Sequence, residues 1–308
     1  MSSIDSLLHQ LSSEEHTKIF NTRIKSSVFK NVPSTQSPRA IIFGGQPGAG
    51  KTALAKHSVE KLIPSGKPVL IDGDVMRTFH PEHDKLSSEN DKTASALIHH
   101  DASLWIEDAL AYACTLKCNI AIERTMHSPE KLLKIVHSLR EAGYSIEVWA
   151  LAVPEKLSWQ SVLYRYEDQK TTDNFARMVP HEIHQAAYHG MLETIEKVEN
   201  QKLVDKICVY KRGGYVLYEN TLSQEKWEKP PMAREIIEEE RNRPWREEEH
   251  RAYTEIFDKI YEMITRFERK ASLEDIEGIQ GLRAIAYQEL NEKIDHFDAS
   301  KIKKEEIS

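Results

Sequence analysis

Gly45-Gln46-Pro47-Gly48-Ala49-Gly50-Lys51-Thr52 fills every required position of the G-x-x-x-x-G-K-[ST] phosphate loop. Its flanks have the matching character. Ala40-Ile41-Ile42-Phe43 is a short apolar run of buried-strand type, and the stretch from Thr52 to Leu62 reads as helix. Strand, glycine loop and helix are the parts the motif needs. Small residues let backbone N–H groups wrap an anion, and the helix start adds a positive dipole end. In that geometry the Lys51 ammonium reaches the β- and γ-phosphates of a nucleotide, and the Thr52 hydroxyl is a ligand for Mg²⁺.

Outward from the loop, residues 39–218 alternate strand and helix signals. The strand candidates are Ala40–Phe43, Pro68–Ile71, Asn119–Ile122, Ile146–Val153 and Lys206–Tyr210. This alternation predicts an α/β fold of phosphate-loop NTPase type, a three-layer sandwich with a mostly parallel sheet. Gly213-Gly214 between two apolar runs predicts a two-residue hairpin turn at the sheet edge. Residues 1–38 read as a helical arm and linker: Ile4, Leu7, Leu8 and Leu11 have helical spacing, and Ser12 with Glu15 fits a capping box. Residues 219–308 read as a C-terminal helical extension in which strand signals stop. From Pro230 onward there are 14 Lys+Arg against 20 Asp+Glu, which carries −6 of the chain's −7. Two apolar stripes, Tyr253–Phe267 and Leu273–Phe297, predict a helical hairpin or small bundle, with Gly278 and Gly281 weakening the start of the second.

With 30% charged and 40% hydrophobic residues, the 308-residue chain has enough apolar material for a sizeable core. The acidic balance argues against general nucleic-acid binding. Three cysteines, Cys114, Cys118 and Cys208, argue against a disulfide framework and read as buried thiols. No signal peptide and no membrane span is apparent, so the expected location is cytoplasmic.

Ligands of open α/β sheets bind outside the carboxyl ends of the strands. The second strand ends in Asp72-Gly73-Asp74, where either carboxylate could hold Mg²⁺ or deprotonate an acceptor hydroxyl while one of them caps the next helix. The third strand runs into Glu123-Arg124-Thr125, which places Glu123 and Thr125 at the same crevice. Glu107, on a helix, reads from its own surroundings as a surface acid. The polar stretch Asp168–Asp173, flanked by Arg165 and Arg177, reads as a mobile lid whose arginines neutralise phosphate charge. His80/His83 and His181/His184 are each spaced three apart. No third metal ligand is apparent beside either pair, so they read as surface or capping histidines. The lack of an Asn-Lys-x-Asp stretch argues against a guanine-specific switch.

Taken in order, these motifs resemble the zeta toxins, the phosphate-loop kinases of bacterial toxin–antitoxin systems, over roughly residues 12–218. The Gln46-Pro47 form of the loop, Asp72-Gly73-Asp74 followed by His80-Pro81, Glu123-Arg124-Thr125, Ala152-Val153-Pro154, Arg165-Tyr166-Glu167 and Ala176-Arg177 carry the resemblance. It implies an ATP- and Mg²⁺-dependent kinase that phosphorylates the 3′-hydroxyl of UDP-N-acetylglucosamine and thereby starves cell-wall synthesis. It further implies that Lys51 binds ATP phosphates and that Thr52 ligates Mg²⁺. Asp74 would be the general base, Glu107 and Thr125 would contact the sugar nucleotide, and Arg165 and Arg177 would stabilise the transferring group. A small helical antitoxin is the implied partner, and the tail 219–308 could serve as an inhibitor in cis. Arg124-Thr125-Met126-His127 is bulkier than the Gly-Thr-Gly-Arg common in the family. That departure leaves open a nucleoside, dinucleotide or polynucleotide acceptor, and a non-catalytic ATP-binding protein acting through its tail is the reading from another class.

Overall fold

The computed structural model describes residues 8–172 and 176–305, the last eleven by backbone alone. Its seven-stranded sheet has the order β2-β3-β1-β4-β5-β6-β7. The strands are β1 (Arg39–Gly44), β2 (Val69–Ile71), β3 (Ile120–Arg124), β4 (Ser145–Ala152), β5 (Lys206–Lys211), β6 (Tyr215–Ser223) and β7 (Lys226–Trp227). The first five are parallel; β6 and β7 pair antiparallel at one edge. The main helices are α1 (Ser13–Ile19), α2 (Lys51–Leu62), α3 (Gly73–Arg77), α4 (His99–Leu116), α5 (Pro129–Glu141), α6 (Glu155–Thr172), α7 (His181–Asn200), α8 (Ala233–Asn242), α9 (Glu247–Ile264) and α10 (Leu273–Glu305).

The strands are apolar on both faces because both are covered. Ala40, Ile42, Ile120, Ile122, Ile146 and Val148 point into one core with Trp105, Leu132 and Met191. Their neighbours Ile41, Phe43, Ala121, Trp149 and Leu151 point into the other with Leu54 and Leu62. This is the expected three-layer sandwich. At the far end of the strands the buried Asn119 side chain ties β1 to the β2 approach. It accepts from the Arg39 amide (3.0 Å) and donates to the Ser65 and Gly66 carbonyls (3.0 and 3.1 Å).

The chain divides into two compact units. One holds the described residues up to Trp159 with Arg177–Arg241; the other holds Gln160–Thr172, Ala176 and the chain from Asn242. Within the second unit, α9 buries Tyr253, Phe257, Ile260 and Ile264, and Arg283 Nε of α10 donates to Asp258 Oδ1 of α9 (2.6 Å). Glu167 forms a two-pronged pair with Arg269 (2.6 and 3.0 Å). The expected helical hairpin is therefore present.

Several expectations need correction. The capping box of Ser12 and Glu15 is present, but Leu8 and Leu11 lie in turn and extended backbone; Ile4 and Leu7 lie outside the described residues. Strand structure continues past 218, through Ser223 and into β7, so helical character starts at Ala233 rather than 219. The hairpin turn has three residues, Arg212-Gly213-Gly214, because Lys211 pairs with Tyr215. The polar stretch read as a lid is helical to Thr172, and 173–175 lie outside the described residues. Phe267 and Ile285, expected on apolar stripes, are exposed at 88% and 54%.

Three helical glycines separate steric need from helix propensity. A Cβ on Gly190 of α7 would lie 2.2 Å from the His127 carbonyl oxygen, while Gly278 and Gly281 of α10 face open space. Gly278→Ala and Gly281→Ala should each stabilise by about 0.5–1 kcal/mol. Gly190→Ala should destabilise by about 1–3 kcal/mol because backbone must shift. Chemical denaturation checks both signs; stabilisation by Gly190→Ala would contradict the packing described.

Candidate functional site

The site grows from the turn between β1 and α2. Gly48 and Gly50 have φ of 77° and 93°, a region that side chains strain to enter. Gly50 is the cap residue of α2 and has no side chain to offer, so the helix start lacks a side-chain cap from its own N-cap position. The first-turn amides of Lys51 and Thr52 are thus available to an anion, and the helix dipole favours one. Thr52 is exposed there.

Lys51 folds back across the loop. Its ammonium donates to the carbonyls of Gly45 (3.2 Å) and Gln46 (3.3 Å) and stands 3.6 Å from Glu123 Oε1. The sheet register explains the meeting: Phe43 pairs with Glu123 and Gly44 with Arg124 across β1 and β3. Burial pushes the Glu123 carboxyl above its ordinary range, the Lys51 charge pulls it back, and Asp72 and Asp74 push it further up. Three carboxylates therefore share one locality with Lys51.

Asp72 ends β2 and caps α3, accepting from the Asp74 amide at 2.7 Å. The helix-cap role thus falls to Asp72. The Asp74 carboxylate, more exposed, accepts from the guanidinium groups of both Arg77 and Arg177. Burial pulls Arg77 down to about 10, with the neighbouring Arg177 charge adding to the effect. His99, at the start of α4, keeps an exposed surface; partial burial of its ring, followed by the charges of Arg77, Lys131 and Arg177, lowers it to about 4. Arg124 is held at about 10 by burial, against the pull of Glu107, Glu123 and Asp72.

The remaining expected residues fall at varied positions. Glu107 is exposed on α4 and pairs with Lys134 (3.1 Å), in keeping with a surface acid by its immediate contacts. Thr125 follows β3, and its hydroxyl bonds His127 Nδ1 (2.8 Å). Arg165 lies on the part of α6 that belongs to the second unit.

Sequence reasoning missed the support under the loop. Gln46 is fully buried. Its amide nitrogen donates to the Val153 carbonyl (2.9 Å) and Ser158 Oγ (3.2 Å), and its oxygen accepts from Arg241 Nη2 of α8 (3.3 Å). Arg241 also donates to the Tyr188 carbonyl (2.8 Å) and stacks 3.9 Å from that residue's ring centre. Arg77, His99 and Arg241 carry no local signal; only tertiary structure brings them in. The histidine pairs were also misread in part. His181 is exposed, but His184 is fully buried and lowered to about 4 by burial, and His80 is buried beside Asp101. Cys118 and Cys208 are buried thiols as expected; Cys114 is half-buried.

The zeta toxin family model matches residues 23–223. Toxin PezT of Streptococcus pneumoniae is 30% identical over 201 residues, which is 64% of this chain and 79% of that protein. Toxin zeta of Enterococcus hirae is 26% identical over 230 residues, 73% of this chain and 78% of that protein. Among solved structures, one from the PezAT chromosomal toxin–antitoxin system of S. pneumoniae aligns with a TM-score of 0.70 at 23% identity, covering 84% of this chain and all of that one. The AvrRxo1-ORF1:ORF2 complex with ATP aligns at 0.53 and 13% identity, covering 89% and 84%. These structures share the fold. Among the described residues no helix is long and apolar enough to cross a membrane.

Lys51 is the largest downward influence on the Glu123 carboxyl. Lys51→Ala should therefore raise the Glu123 pKa further above that of the parent chain. Carboxyl carbon NMR against pH reads this directly; an unchanged or lower value would mean that the two groups do not interact.

Proposed function

The chain belongs to the zeta toxin family, and from that premise we propose an ATP-dependent kinase that transfers the γ-phosphate to a hydroxyl of a UDP-sugar, foremost the 3′-hydroxyl of UDP-N-acetylglucosamine. Depletion of that precursor in the cytoplasm would make the protein toxic. The observation that carries the reading is the convergence of Lys51, Glu123 and the Asp72/Asp74 pair at the carboxyl ends of β1, β3 and β2. Such a crevice is where a doubly wound sheet takes a nucleotide.

In this reading the α2 amides and Lys51 hold the phosphates. Thr52, and secondarily Asp72, offer the hard oxygen ligands that Mg²⁺ prefers. Asp74 accepts the proton of the acceptor hydroxyl. Phosphoryl transfer asks the protein mainly for positioning and charge neutralisation, so the arginines matter. Arg177 is bound to Asp74. Phosphate oxygens compete for the same guanidinium, so nucleotide arrival frees the carboxylate for its base role and recruits Arg177 to the transferring group. Arg165 is the second arginine that the family pattern assigns to that group, and Glu107, Glu123 and Thr125 are assigned to the sugar nucleotide. A small helical antitoxin is the partner that fits, given that one solved neighbour comes from a toxin–antitoxin system and another is a two-protein complex.

One observation favours a second acceptor. The Thr125 hydroxyl is engaged by His127, and the intervening Met126 is buried with φ of 56°. The same bulky segment, Arg124-Thr125-Met126-His127, keeps a nucleoside, dinucleotide or polynucleotide hydroxyl as the alternative acceptor.

Incubation with ATP and Mg²⁺ and a panel of UDP-sugars and nucleosides, read by mass spectrometry, tests the reading. Phosphorylated UDP-N-acetylglucosamine is expected. Lys51→Ala and Asp74→Ala should each lower turnover by at least about 100-fold with the fold intact by circular dichroism. Full activity in Asp74→Ala would place the base elsewhere, and phosphorylation of a nucleoside alone would replace the acceptor.

A further inference from the structure

Beside the segment that anchors Gln46 lies a second group of side chains with no part in the reading above. Glu155 opens α6, and His181 and His184 occupy the first turn of α7. One ligand atom from each lies within 4.8 Å of those from the other two. The third partner that the His181/His184 spacing lacked in sequence is thus Glu155, 26 residues before His181.

The hydrogen bonds around His184 fix its chemistry. Ser158 Oγ has one proton and two acceptor positions. It donates to the Glu155 carbonyl (2.8 Å), accepts from Gln46 Nε2 (3.2 Å) and lies 2.8 Å from His184 Nε2. Where that proton stays on the Glu155 carbonyl, Ser158 accepts from His184 and the imidazole hydrogen sits on Nε2. Nδ1 then carries a lone pair, and in the described structure it is buried with no hydrogen-bond partner. A fully buried nitrogen of this kind is costly unless something accepts the pair. Fixing the ring by a hydrogen bond to its other nitrogen is also how metal-binding histidines are commonly oriented.

A second observation points the same way. Gln185 places its amide nitrogen against Glu155 Oε1 and 3.3 Å from His181 Nε2. The positive end of an amide dipole therefore stands between a carboxylate and an imidazole, where a cation would gain more. Trp159 packs edge-on to both imidazoles, with ring centres 4.5 Å from His181 and 5.4 Å from His184.

We propose that Glu155, His181 and His184 bind one divalent cation of the Zn²⁺ class, leaving a fourth position to water. Two imidazole nitrogens and one carboxylate suit Zn²⁺ better than Mg²⁺ or Ca²⁺, which prefer all-oxygen sets. The ion would link the starts of α6 and α7 and stiffen the Val153–Ser158 segment that grips Gln46. Its role is structural, and no bond in a substrate is made or broken there.

The test uses the tag-free full chain, stripped of metal and free of nucleotide. Calorimetric titration with Zn²⁺ should give one equivalent, with a rise in melting temperature. Co²⁺ should give the visible absorption of a low-coordinate site with nitrogen ligands. His181→Ala, at an exposed position, and Glu155→Gln should each weaken Zn²⁺ binding by at least about tenfold and remove the melting shift, while exposed His137→Ala leaves both unchanged. Absence of stoichiometric binding in the parent chain, or equal binding in His181→Ala and Glu155→Gln, overturns the proposal. Neither readout depends on kinase activity.

Discussion

A single ammonium group, Lys51 Nζ, is shared between two loop carbonyls and the buried end of β3, and the crevice is arranged around it. Gly48 and Gly50 take positive φ in the turn that carries the chain from those carbonyls into α2. Glu123 can stand beside it only because β1 and β3 are parallel neighbours in the observed register. Burial makes the Glu123 carboxylate costly, and the Lys51 charge offsets part of that cost. A polyphosphate would enter this arrangement as a stronger counter-charge for the same ammonium, next to uncapped helix amides that already favour an anion.

The loop also rests on a buried polar frame. Gln46 reaches Val153 and Ser158 on one side and Arg241 on the other, and Ser158 continues to His184. Such networks are stabilising when every member is satisfied and costly when one is not. Arg241 lies beyond the residues 23–223 shared with the family model, yet it belongs to the same compact unit as the loop. The chain after the last long strand thus helps to hold the phosphate-binding element in place.

What could be read in advance follows the range of the signals. The strand, the loop and α2 are encoded within the continuous stretch from Arg39 to Leu62, and the burial of β1 on both faces is visible as an unbroken apolar run. That one of Asp72 and Asp74 caps the next helix is also legible, because a strand-end aspartate can accept from an amide two residues on; which of them does so is settled only by the structure, which gives the cap to Asp72. The hidden parts depend on distant partners. Arg177 is 103 residues from Asp74, and Arg241 is 195 from Gln46. Glu155 shows no ligand character until α6 and α7 are side by side. The two-residue β7 is too short for any alternation to register. The polar stretch Asp168–Asp173 reads as a lid in sequence because its charges mask a helix that runs on to Thr172.

The most direct test of the central claim is calorimetric titration of the full chain with ATP in millimolar Mg²⁺. Saturable one-to-one binding that is lost in Lys51→Ala is the predicted result. No binding to the parent chain, or binding of equal strength in Lys51→Ala, would contradict the account of the loop and of everything assembled around it.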